Sequence, residues 1–376
     1  MRNKITALLA IFTFLFAVFV PAVKTLAVTD SAAASILMDA GNETVLYAKQ
    51  ENLRLPMAST TKIMTAMLAL ESDNLDEEFI VTEDMLGVTG TSMYLIAGDT
   101  VTMRTLVYGM LLNSGNDAAN AAAVRIAGSK EAFVDMMNER ARQLGLTNTH
   151  FANPEGLDAD EHYTSAYDLA RLGIEAMKNP EFAKICSVKS TTRQYGNPPY
   201  TRYLTNHNKL LRNNKVEGIN GIKTGFTDKA GRCLVSSAER DGVHLVCVTL
   251  NDHFDWDDHV TLLEYGFTLY SDYTVSTELG DITLPVVGGS SRTISLYCDQ
   301  NVQKVKMLTS VQKDVEREIR LPVFTYAPLE KGQQVGSIDY TYNGTTVASV
   351  PILAGQEVAA MTTGWFSDLA AAIAAV

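Results

Sequence analysis

Cysteine is scarce in this 376-residue chain, and the four present are scattered. Cys186, Cys233, Cys247 and Cys298 form no C-x-x-C pair and no metal-ligand spacing, which removes the zinc-ribbon and disulfide-framework classes. Cys233 and Cys247 flank a hairpin expected to turn at Asp241-Gly242. If Arg240 pairs with Val243, Cys247 pairs with Ser236 and Cys233 lies on the opposite face, so these two are not bridged. All four read as buried thiols. Positive charge is also short: 31 lysines and arginines meet 43 acidic residues, for a formal net charge of −12. Such a surface repels phosphates, so nucleic acid is not a partner. Basic residues stop altogether at Lys331. Disorder is excluded too, because 46% of the chain is apolar and only 20% charged, as in a folded soluble protein.

The N-terminus carries what the rest lacks, a long apolar run. Arg2 and Lys4 precede an almost wholly apolar stretch from Ala7 to Val20, Pro21 breaks it, and Thr25-Leu26-Ala27 supplies small residues where a signal peptidase reads. Residues 1–27 read as a secretory signal peptide. A retained anchor is the alternative, since Ile5 to Val23 nearly suffices to span a bilayer. Both readings place the protein outside the cytoplasm.

Chain length favours two domains. Two short apolar stretches around Ala40-Gly41-Asn42-Glu43 read as a hairpin, and a helix is expected to begin near Ser59. Further helices are expected over Met103 to Leu112, beyond a break at 113–116, from Ser129 to Gln143, and after the capping box Ser165-Ala-Tyr-Asp168. Strands return at 221–227, 232–239 and 243–250, before a helix from Trp256 to about Tyr270. The first hairpin and the last three strands thus bracket a helical insertion, an α/β architecture with an antiparallel sheet over residues 28–272. From 273 to about 355 the apolar residues alternate and turns recur, which reads as a small all-β domain. In the tail, 356–376, Met361, Trp365, Leu369 and Ile373 fall on one stripe of an expected amphipathic helix beginning at Ala359. Membrane contact and packing on its own protein both fit that stripe. Interfacial helices normally add basic residues on the polar face, and this tail has none.

Three short motifs carry chemistry. Ser59-Thr60-Thr61-Lys62 places a hydroxyl and an amine three residues apart on one helix face, where a neutral lysine can take the serine proton. Ser114-Gly115-Asn116 sits at a helix break. There Ser114 can relay a proton, while Asn116 can donate to a substrate carbonyl and accept from Lys62. Lys223-Thr224-Gly225 lies on a strand. Gly225 bares the edge for a substrate backbone, Thr224 and Lys223 can meet a carboxylate, and the second lysine lowers the pKa of the first.

S-x-x-K, S-x-N and K-T-G in this order are the signature of penicillin-binding proteins and class A β-lactamases. The segments GTSMYLIAGDTVTMRTLVYGMLLNSGNDAANAAA, NPEGLDADEHYTSAYDLA, NHNKLL, GINGIKTGFTDKAGRCLVSSA and NDHFDWDDHVTLLEYGF resemble those of the low-molecular-mass penicillin-binding proteins that act as serine D-alanyl-D-alanine carboxypeptidases. The resemblance implies a β-lactamase/transpeptidase-like fold with an accessory C-terminal β domain. It implies Ser59 as acylated nucleophile, Lys62 as base, Ser114 and Asn116 in proton transfer and orientation, and Lys223 and Thr224 at the terminal carboxylate. Gly225 opens the substrate edge, and the backbone N–H groups of Ser59 and Phe226 form the oxyanion hole. The implied partners are peptidoglycan stems ending in D-Ala-D-Ala and β-lactams, at the cell wall or the outer face of the cytoplasmic membrane, with no cofactor. His207 is expected beside the site. The acid-rich segment Asp252 to His259 matches a structural part of the family and no metal is expected there. An endopeptidase acting on cross-links remains a rival. So does a β-lactamase-like hydrolase using Glu155, although Gly115 stands where class A enzymes favour aspartate and the extra β domain has no place in them.

Overall fold

The structure is a computed structural model that describes residues 28–299, 302–342 and 344–361. It opens with the expected hairpin, β1 (Ala34–Asp39) and β2 (Val45–Lys49). A 3-10 turn over Ala58–Thr61 leads into α1 (Lys62–Leu70), and every residue of that helix is buried. Two short strands, β3 (Glu78–Ile80) and β4 (Thr100–Thr102), pair before α2 (Met103–Leu112). The helix breaks as expected and resumes as α3 (Asn116–Ala127), ending at left-handed Gly128. Ser129 caps α4 (Lys130–Gln143) through the Ala132 amide, and Ser165 caps α5 (Ala166–Lys178) through that of Asp168. The chain then forms α6 (Pro180–Cys186), a hairpin of β5 (Ser190–Gly196) and β6 (Pro199–Thr205), and the single turn α7 (Lys209–Arg212).

Three long strands follow, β7 (Ile219–Thr227), β8 (Gly231–Arg240) and β9 (Val243–Leu250), then α8 (Asp255–Thr268). They complete a five-stranded antiparallel sheet in the order β2-β1-β9-β8-β7, with β7 on an edge. The sheet is covered on both faces, so β1 is buried throughout instead of alternating. Ala34, Ile36 and Met38 join the large core that includes α1, α2, α3 and α5, whereas Leu37 packs with Leu262 and Leu263 of α8.

Arg240 pairs with Val243 and Cys247 with Ser236. Cys233 belongs to the first core and Cys247 to the second, so the sheet separates them. All four cysteines are free, and Cys298 corrects the expectation of a buried thiol, being only half-buried. The last helix stops short of its expected end. Tyr270 pairs with Leu308 and starts a strand instead.

Beyond α8 the described residues form strands and turns only: β10 (Tyr270–Ser276), β11 (Thr283–Val287), β12 (Thr293–Tyr297), β13 (Val302–Leu308), β14 (Glu316–Arg320), β15 (Thr325–Tyr326), β16 (Gln334–Tyr342) and β17 (Thr345–Ala354). β10 pairs with β13, and the others make a six-stranded sheet ordered β14-β16-β17-β12-β11-β15. Val275, Met307, Ile338, Val350 and Ile352 form its core. A helix does not begin at Ala359. Val358 bridges Leu329 and Ala360 bridges Gly289, so the backbone is extended there. The rest of the expected tail helix, and the leader at 1–27, lie outside the described residues. Among those described, no helix is long and apolar enough to cross a membrane.

Candidate active site

The Ser59 turn is wedged between two glycines. A Cβ on Gly225 would meet the Ala58 Cβ, the Met57 carbonyl and the Ser59 amide nitrogen, each at 3.1 Å, so glycine lets β7 approach this closely without pushing the turn aside. A Cβ on Gly156 would lie 2.1 Å from the Ala58 carbonyl oxygen. Ala58 itself holds φ at +47°, a left-handed conformation that costs an alanine energy and is sustained by these surroundings. The 3-10 turn then feeds α1, bringing Ser59 and Lys62 onto one face.

Lys62 is wholly buried, yet its Nζ has three oxygen neighbours: Ser59 Oγ at 2.9 Å, Asn116 Oδ1 at 2.7 Å and the Glu155 carbonyl at 2.5 Å. Burial first, and then the charge of Lys223, push its pKa well below the ordinary lysine value. A neutral amine fits this triangle. Two N–H groups satisfy Asn116 and Glu155, and the lone pair faces the Ser59 hydroxyl.

Lys223 enters from β7, buried, donating to Ser114 Oγ at 3.1 Å and to the Thr224 carbonyl at 2.8 Å. Burial lowers its pKa to about 7. Ser114 is held at φ +58° in the break between α2 and α3, a second strained position beside the first motif. One Asn116 amide proton goes to the Thr89 carbonyl at 2.6 Å, leaving the other for a ligand. The structure therefore brings the three motifs together, with Thr224, Gly225 and the exposed Phe226 along the edge of β7.

Several contributors escaped the sequence reading. Asp117, buried beside Asn116, accepts from Ser92 Oγ at 2.6 Å, Met93 N at 2.8 Å and Leu95 N at 3.0 Å, clamping the loop whose Thr89 and Thr91 carbonyls hold Asn116. Glu155 acts on Lys62 through its backbone carbonyl. Its carboxyl group is buried, which raises its pKa. A carbonyl's role has no residue-type signature, whereas Asp117 immediately follows a motif and could have been suspected.

The cleft has a volume of about 410 Å³. Its lining joins Ser59, Thr91, Ser114 and Thr224 with His207, Lys209, Arg212, Arg232 and Trp256. His207 is a neighbour of the motifs, its pKa lowered by burial and by the cations Lys223 and Arg212. The acidic segment serves the fold. Asp252 accepts from Ser31 Oγ at 2.5 Å, Asp255 pairs with Arg232, and His259 bridges Ser236 and Thr249.

Residues 22–253 match the family described as D-alanyl-D-alanine carboxypeptidase, and residues 273–360 match the penicillin-binding protein 5, C-terminal domain. The chain is 30% identical to the D-alanyl-D-alanine carboxypeptidase DacF of Bacillus subtilis, over 89% of this chain and 88% of that protein. It is 33% identical to DacC of Escherichia coli, over 92% and 90%. Penicillin binding protein 5 from Haemophilus influenzae superposes with a TM-score of 0.63 at 29% identity, covering 88% of this chain and 98% of that one.

Proposed function

The chain belongs to the family of serine D-alanyl-D-alanine carboxypeptidases, hydrolases of peptidoglycan that bind β-lactams, and we propose that it works through an acyl-enzyme on Ser59. Neutral Lys62 takes the hydroxyl proton as Ser59 Oγ attacks the carbonyl of the penultimate D-alanine in a stem pentapeptide. The backbone N–H groups of Ser59 and Phe226 receive the oxyanion; loss of one such donor typically costs about 10²–10³ in turnover. Ser114, hydrogen-bonded to Lys223, hands a proton to the departing amine and receives the one Lys62 took, which leaves Lys62 neutral again. The substrate backbone lies along the free edge of β7 at Gly225, oriented by the remaining Asn116 amide proton. Thr224 turns its hydroxyl to the terminal carboxylate. Water then cleaves the ester, with Lys62 again as base. A β-lactam follows the same course as far as the ester.

The observation that carries this reading is the buried Lys62 amine touching Ser59 and Asn116 while a second buried lysine touches Ser114. The test compares wild type with Ser59→Ala. Wild type is expected to release free D-alanine and to form a penicillin adduct on Ser59, and the variant to do neither while keeping its melting temperature. Undiminished labelling of the variant ends the assignment. Release of cross-linked dimers in preference to free D-alanine favours the endopeptidase reading.

The division into a catalytic part, 28–272, and a β-rich part, 273–355, is supported by the two family matches over 22–253 and 273–360; a tail over 356–376 with peripheral membrane contact completes the proposed scheme. Residues 1–27 act as the export signal in this scheme, consistent with a wall substrate outside the cytoplasm. N-terminal sequencing of the secreted protein checks it, with cleavage expected near Ala27.

A further inference from the structure

The hairpin of β5 and β6 presents a surface that the catalytic scheme leaves unused. Among the described residues its two strands pair with no third, and side chains alternate between its faces. The inner face is anchored. Tyr195 and Leu204 are buried, the Tyr195 hydroxyl donates to the Met93 carbonyl at 2.9 Å, and the Arg193 guanidinium stacks 3.6 Å from the centre of the Tyr108 ring of α2. Arg202 belongs to the same face, 5.0 Å from the Tyr195 ring and 4.4 Å from that of Tyr200. Both cations of the ribbon are thereby taken up on its inner side.

The outer face consists of three cross-strand pairs, Ser190 with Thr205, Thr192 with Tyr203 and Gln194 with Thr201. All six are exposed, Tyr203 to 80%, and none is charged. Other exposed ribbons of the molecule carry charge: Asp272 of β10 meets Lys306 of β13 at 2.8 Å, and Glu318 meets Arg320 on β14 at 3.1 Å. Charge on such a surface discourages pairing with other chains. A rigid strip of hydroxyls, one amide and one bare aromatic ring suits an uncharged sugar polymer instead. Its hydroxyls and amide can exchange hydrogen bonds with the hydroxyl and acetamido groups of an amino sugar, and the tyrosine ring can cover the sugar's C–H face.

The ribbon is also joined to the catalytic break. The Asn113 side chain accepts from the Thr205 amide at 2.9 Å, and the Leu112 carbonyl accepts from the His207 amide at 3.1 Å, so β6 ends beside the residue that precedes Ser114. Tyr203 lies roughly 7 Å along the strand from Thr205. An extended five-residue stem spans at most about 17 Å. A sugar that carries a stem bound at Ser59 therefore has the length to reach the ribbon.

We propose that the outer face of the β5–β6 ribbon binds the glycan strand of peptidoglycan, stacking an N-acetylhexosamine on Tyr203 while the stem occupies the cleft. The proposal rests on the carboxypeptidase reading above and adds to it a preference for stems still attached to their polymer. The ribbon acts by holding substrate near the cleft and takes no part in the chemistry.

The test uses the full chain with three probes: a free stem pentapeptide, wall sacculi whose stems end in D-Ala-D-Ala, and chitohexaose, a neutral oligomer of N-acetylglucosamine. Losing one ring contact predicts that Tyr203→Ala lowers D-alanine release from limiting sacculi about 3–10-fold, and leaves the free-peptide rate and penicillin acylation unchanged. Tyr203→Trp keeps the wild-type rate on sacculi, and chitohexaose slows wild type on sacculi but not on the free peptide. An unchanged rate of Tyr203→Ala on sacculi, or an equal fall on the free peptide, overturns the surface. So does a wild-type dimer in sedimentation that Tyr203→Ala abolishes while both digest sacculi alike, which gives the face to a second copy of the chain. Equilibrium dialysis of chitohexaose against Ser59→Ala separates the two readings. Sugar binding without a penicillin adduct on wild type ends the serine mechanism alone, and an adduct without sugar binding ends the glycan surface alone.

Discussion

The helical and β-rich parts of the molecule bury different kinds of residue. Around α1 the interior holds two lysines, Lys62 at 0% exposure and Lys223 at 1%, together with Asn116, Asp117 and the strained Ala58 and Ser114. Beyond Tyr270 the interior is mainly aliphatic, with Ile338, Val350 and Ile352 at its centre, and the buried Asp339 is matched by Arg320 and Ser349. Removing a charge from water costs several kcal/mol unless partners offset it. A chain that twice buries a lysine without a carboxylate in contact is carrying a cost that folding alone would not select. The difference teaches where to look for chemistry: in the unfavourable interior, not the comfortable one.

Substitutions can break that contrast in either direction. Lys62→Met is expected to have the largest effect, slowing penicillin acylation about 10²–10⁴-fold, the range that general-base catalysis supplies; stopped-flow labelling measures it. In the β-rich part, Ile338→Ala should cost about 2–5 kcal/mol by denaturant unfolding, yet leave acylation intact. If acylation falls with it, the two parts are not energetically separable. Lys223 gives a subtler contrast. Unfolded, its pKa is near 10.5; folded, about 7, so across that window only the unfolded chain holds the proton. Stability contributed by this site therefore rises with pH from 7 to about 10.5, and Lys223→Met should flatten that slope in melting-temperature profiles. Smallest is Ser129→Ala, which removes the cap of α4 for about 1 kcal/mol and no change in labelling.

Much of the catalytic part was legible because local signals agreed with the final contacts. Asp241-Gly242 fixed the β8–β9 register, which in turn separated Cys233 from Cys247. Ser129 and Ser165 marked two helix starts. The β5–β6 hairpin was not read, since Tyr195 and Leu204 are its only buried large side chains and hydrophobic periodicity is correspondingly faint. The three motifs stood out by residue type and order. Their cooperation did not, because contacts such as Lys62 with the Glu155 carbonyl, or Asp117 with the 92–95 loop, join segments through backbone atoms that any residue supplies. Lys209 and Arg212 look like ordinary surface residues of one helical turn until the fold brings them into the lining of the cleft.

α1 has no solvent-facing side, being enclosed along its whole length from Lys62 to Leu70. On the proposed chemistry, a drug ester formed at its doorstep gains nothing from fraying of that helix, since loosening one turn would open the core. Release then depends on water admitted through the mouth of the cleft. Antibiotic residence on this enzyme should accordingly follow changes at the rim, such as the loop clamped by Asp117, far more than changes in the helix that bears the lysine.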